Sequence, residues 1–119
     1  MSHKIAIIIL ADIDNNEGLG RVANALAAAG EYDKAGDEVR IVFTGTGTKW
    51  PASLEKADHP AHGLYEATRD LVDGACGFCA NAFGQTEAMK QHSIKLLADS
   101  GPFMSYRQYT QAGYQILTF

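Results

Sequence analysis

The chain has 119 residues, 46% of them hydrophobic and 20% charged, the make-up of an ordinary folded protein able to bury about two thirds of its unfolded surface around one core. Acidic residues outnumber basic ones 14 to 10, and no stretch gathers Lys and Arg along one face, so nucleic acid is not an expected partner. The longest apolar run, Ile5 to Ala11, is far short of the roughly 20 residues that cross a bilayer, which excludes a membrane-spanning segment from the reading.

One domain over residues 1–119 is expected. Little precedes the apolar run and no small-residue cleavage pattern follows it, so no secretory signal is read and the cytoplasm is the expected compartment. In that compartment two cysteines in a chain of this size point to catalysis, redox chemistry or metal binding rather than to a structural cross-link.

Lys4 to Ala11 is continuous and isoleucine-rich, as in a strand covered on both faces. Leu19, Val22, Ala23 and Leu26 then recur at helical spacing, and the helix runs on through Tyr32 to a cap at Gly36. Glu38 to Thr44 is apolar and β-branched, a second strand that exits through Gly45-Thr46-Gly47. Thr48 to Gly63 is broken by Trp50-Pro51, His59-Pro60 and His62-Gly63 and reads as a loop with at most one turn of helix.

Leu64, Ala67, Leu71 and Val72 restore helical periodicity, Gly74 ends it, and Ala75 to Cys79 reads as the third strand. Thr86 is placed to cap a helix running to about His92, and Ser93 to Ala98 is the fourth strand. Ser100 is placed to cap the last helix, with Pro102 in its first turn and Gly113 just beyond its end; Tyr114 to Phe119 closes the sheet. Alternating β and α elements predict an α/β fold: a mainly parallel sheet of about five strands with helices on both faces. Ligands of such sheets bind at the carboxyl edge of the strands, which here gathers Asp12 to Gly20, Gly45 to Trp50, Cys76 to Gly84 and Asp99 to Gly101.

Both cysteines fall in Gly74-Ala75-Cys76-Gly77-Phe78-Cys79-Ala80-Asn81, at C-x-x-C spacing among small residues. Cys79 lies just ahead of a predicted helix start, where backbone amides favour a thiolate. The alternative is two small apolar residues that simply pack at a strand end. His59 and His62 could complete a Cys2His2 zinc set, but their two-residue spacing is outside the usual three to five, and no metal is expected. Gly18-Leu19-Gly20-Arg21-Val22-Ala23 resembles a dinucleotide fingerprint displaced from its turn, and Thr44 stands where a ribose-binding acid is wanted, so no cofactor is expected. Asp12 at the first strand's end and Gly45 after the second are candidate ligand-binding positions, with Asn81 as a residue that orients the cysteine loop.

Taken with Leu19-Gly20-Arg21-Val22, Asn24-Ala25-Leu26, Ala35-Gly36-Asp37-Glu38-Val39 and the ending Gly113 to Phe119, the stretch Cys76 to Gly84 resembles DsrE-like proteins over nearly the whole chain. The resemblance implies a three-layer α/β/α fold, a homo-oligomer (trimer or hexamer), and sulfur relay as a cysteine persulfide to a sulfur-carrier protein. One branch of that family has Gly eight residues after its cysteine, which selects Cys76 with Gly84. Another has Cys-x-Asn, which selects Cys79 with Asn81. The cationic Leu-Arg-Arg-Gly element near the relay cysteine is replaced here by Ala82-Phe83-Gly84. The expected function is therefore sulfur handling through a reactive thiol, with Cys79 and Cys76 as candidates. The rival is a non-catalytic small-ligand-binding or assembly module.

Overall fold

The computed structural model describes residues 2–119. Its five strands are β1 (Lys4–Ile9), β2 (Glu38–Phe43), β3 (Val72–Cys76), β4 (Leu96–Leu97) and β5 (Gln115–Thr118), in the order β4-β3-β2-β1-β5. Every pairing is parallel. The helices are α1 (Asn16–Lys34), α2 (Trp50–Leu54), α3 (His62–Thr68), α4 (Gly77–Ala82), α5 (Thr86–Gln91) and α6 (Tyr106–Gln111), with 3-10 turns at Gly45–Lys49 and Arg69–Leu71. Helices lie on both faces of the sheet, giving the expected three-layer α/β/α fold.

The two faces are unequal, and topology explains why. The chain steps β1, β2, β3, β4 in one direction, and a right-handed crossover places every intervening helix on the same side. Only the step from β4 back past β1 to β5 reverses direction, so α6 is the helix laid across the other side, which Cys79 of α4 reaches from the carboxyl edge. Side chains follow the two-residue alternation of the strands. Ile5, Ile7, Ile9, Val39, Ile41 and Phe43 pack under Val22, Ala25, Leu26 and Ala29 of α1, Leu54 of α2, Tyr65 of α3 and Met89 of α5. Ala6, Ile8 and Val42 face the thinner layer, with Cys76, Cys79, Leu97 and Met104 and, from α6, Tyr109.

Several boundaries differ from the sequence reading. The third strand is Val72–Cys76 rather than Ala75 to Cys79, so Cys79 belongs to α4. Gly74, read as a helix stop, lies within that strand: a side chain there would meet the Lys95 carbonyl 2.4 Å away, and glycine lets the neighbouring segment close up. Helix α1 starts at Asn16, three residues before the periodic apolar stripe, because the Asn15 side chain accepts from the Gly18 amide at 2.6 Å. The dinucleotide-like glycines are thus within a helix. The segment Thr48 to Gly63, read as a loop with one short turn of helix, contains that turn as α2 and also the start of α3. The fourth strand shrinks to Leu96–Leu97, and the last helix is capped by Ser105, whose hydroxyl accepts from Gln108, rather than by Ser100.

Candidate functional site

The inequality of the faces leaves a cavity of about 530 Å³ at the carboxyl edge, on the side that α6 covers. Leu10 at the end of β1, Thr44 and Gly45 at the end of β2, Cys79 on α4, and Ser100 with the stretch Phe103 to Arg107 line it. The rim is built by local contacts. Thr44 donates its amide to the Ile9 carbonyl, the Thr46 hydroxyl donates to the Leu10 carbonyl at 2.8 Å, and the Trp50 indole donates to the Ala11 carbonyl at 2.7 Å. Gly47 allows this: a Cβ there would stand 2.0 Å from the Ile9 carbonyl oxygen.

The two cysteines are both free thiols and occupy different depths. Cys79 is 9% exposed and opens into the cavity, whereas Cys76 is 0% exposed and lies behind it. The Cys79 sulfur is 3.6 Å from the Thr44 hydroxyl. The Cys76 sulfur accepts the Met104 amide at 3.5 Å. Burial alone would push the Cys76 thiol up. The Cys79 and Met104 amides and the Cys79 and Thr44 side chains outweigh it and hold the thiol below its ordinary range. Burial, followed by the nearby cysteines, pushes the Tyr106 phenol up, so it stays a neutral wall.

The remaining candidates are distributed around this centre. Gly45 lines the cavity in a left-handed conformation, φ 57°, that glycine adopts freely. Asp12 lies outside the lining, bonded to Lys49 at 3.1 Å, and that contact together with the Ile13 amide holds its carboxyl below the usual range. Asn81 is exposed on α4 and is not among the lining residues. The histidines are elsewhere: His59 packs edge-on to Trp50 and His62 Nδ1 bonds the Leu54 carbonyl. Among the described residues no group of three or more His, Cys, Asp or Glu is arranged to hold a metal ion.

Thr44, Met104, Tyr106 and Arg107 were not singled out from sequence. Thr44 drew notice only as a missing acid, and the other three reach the cavity because the chain returns over the second face before α6. Around the mouth, Leu10, Phe78, Phe103 and Tyr106 are exposed, with the Phe78 and Phe103 rings 4.4 Å apart.

No family model matches the chain. It is 29% identical over 115 residues to an uncharacterized protein of Methanocaldococcus jannaschii, covering 96% of this chain and 93% of that one. A conserved protein of unknown function from Bacteroides thetaiotaomicron superposes with a TM-score of 0.61 over 96% of this chain and 94% of its own, at 18% identity, a likeness of fold.

Proposed function

We propose that this is a cytoplasmic sulfur-handling protein that accepts a sulfane sulfur on Cys79, as the DsrE-like resemblance implies. The observation that carries the reading is the pairing of an open sulfur with a buried one. Cys79 faces the cavity beside the Thr44 hydroxyl and can lose its proton to solvent there, and Cys76 lies buried behind it. Cys79 then bonds the terminal sulfur of a hydropersulfide R–S–SH, the donor S–S bond breaks, and R–S⁻ leaves and takes up a proton. The product is Cys79–S–SH. Cys76 can discharge it by bonding the Cys79 sulfur, forming an internal disulfide and releasing HS⁻. The exposed apolar collar would seat another polypeptide, either a sulfur-carrier protein or a further copy of the chain in a trimer or hexamer.

Intact mass after exposure to a hydropersulfide donor tests the reading. One added sulfur in Cys76→Ser, absent in Cys79→Ser, is expected, with the native chain showing that sulfur or, after discharge, the two-hydrogen loss of an internal disulfide; retention in Cys79→Ser overturns the assignment. A second reading, a non-catalytic small-ligand module, is favoured by apolar walls that extend well past the thiol at Leu10, Phe103 and Met104. It gains if no form takes up sulfur while both thiols are reduced.

A further inference from the structure

Charge is distributed unevenly around Cys79. Arg21 pairs with Glu17, Arg40 with Asp73, and Arg69 with Glu55 and Glu66. Arg107, at the cavity, pairs with no carboxylate among the described residues, and its guanidinium meets only Gln111 Oε1 at 3.5 Å. No Asp or Glu lines the cavity, although acids outnumber bases in the chain. Asp99 lines the adjoining polar basin with Ser100, Ser105 and Arg107 but makes no ion pair there.

The cavity is also much larger than one sulfur atom needs. At about 530 Å³ it falls in the usual range of small-molecule sites, roughly 300–1,000 Å³. Leu10, Phe103, Met104 and Tyr106 supply apolar walls to the cavity that Cys79 and Arg107 also line. A planar guanidinium recognises a carboxylate through two parallel hydrogen bonds, and Ser100 and Ser105 line the same pockets as Arg107.

Resting on the sulfur reading of Cys79, we infer that the donor is a small organic hydropersulfide bearing a carboxylate. Its terminal sulfur meets Cys79, its body lies between Leu10, Phe103, Met104 and Tyr106, and its carboxylate binds Arg107. One S–S bond replaces another in the transfer, so no outside oxidant enters. The released thiol keeps its carboxylate and departs as a soluble anion.

The test compares two disulfide reagents on the full-length chain: dianionic 5,5′-dithiobis(2-nitrobenzoate) and neutral 4,4′-dithiodipyridine, with the adduct assigned to Cys79 by peptide mass. In Arg107→Gln the ratio of anionic to neutral rate should fall about fivefold, the scale of one partly exposed ion pair, with part of it kept in Arg107→Lys and the neutral rate unchanged. An unchanged ratio in Arg107→Gln overturns the inference even where sulfane uptake is intact. A fallen ratio without sulfane uptake from any donor overturns the sulfur reading instead, and with it the hydropersulfide.

Discussion

The Met104 amide donates to the Cys76 sulfur at 3.5 Å, tying the segment that leads into α6 to the end of β3. Cys76 is thereby shielded by the same stretch of chain that forms the wall of the Cys79 cavity. In the native protein Cys79 should react with iodoacetamide at least tenfold faster than Cys76, and the two should converge in denaturant. Peptide mapping of a time course checks this, and equal native rates would show that Cys76 is not shielded.

Thr44 is 4% exposed and its hydroxyl lies against the cysteine pair, lowering the Cys76 pKa. Thr44→Val keeps the shape and removes the hydroxyl. The pH midpoint of Cys76 reactivity should move up toward the ordinary thiol value of about 8.5, and stability should fall by about 1 kcal/mol. A reactivity profile against pH, with thermal melts alongside, reads both.

Because the folded Cys76 pKa is depressed, its contribution to stability is present above the unfolded value and is lost as pH falls through the folded one. Tyrosines act in the opposite sense. Burial, then Glu55, pushes Tyr65 up to about 12, so its contribution is full below the unfolded value of about 10 and is lost as pH rises through about 12. The Tyr65 hydroxyl is buried without a hydrogen-bond partner among the described residues. Tyr65→Phe should therefore gain about 1 kcal/mol at neutral pH and flatten the loss of stability between about pH 10 and 12. Urea unfolding at pH 7 and pH 11 would measure both effects.

Gly47→Ala should cost about 2–4 kcal/mol, since its Cβ would stand 2.0 Å from the Ile9 carbonyl. Gly36→Ala at the end of α1 meets nothing within 4 Å and pays only for its φ of 87°, roughly 1 kcal/mol. Chemical denaturation of the two variants should reproduce that order.

Much of this fold is legible in sequence because β1, α1 and β2 repeat their apolar residues with clear periods: Ile5, Ile7 and Ile9 for one face, Val22, Ala25, Leu26 and Ala29 for the helix above it. Where small residues carry the chain, the signal fails. Gly74 looks like a helix stop and is a strand residue beneath the Lys95 carbonyl, and that misplaced stop moved Cys79 from helix to strand. Ser100 and Ser105 flank Pro102, and only the Gln108 amide chooses between them. The cysteines announced themselves by spacing. Met104, Tyr106 and Arg107 became neighbours of the thiols only through the reversal of direction after β4, which leaves no local mark on composition.

That reversal also makes the chain unevenly durable. One side of the sheet is held by a 19-residue helix and its companions; the other rests on the six residues of α6, anchored by the Tyr109 hydroxyl bonded to Asp73 at 2.5 Å. A cover so short is expected to open before the sheet itself melts. Each such excursion lifts Met104 from Cys76. The deep sulfur is in consequence an internal clock for native-state breathing, and the rate at which it becomes labelled counts the openings of α6.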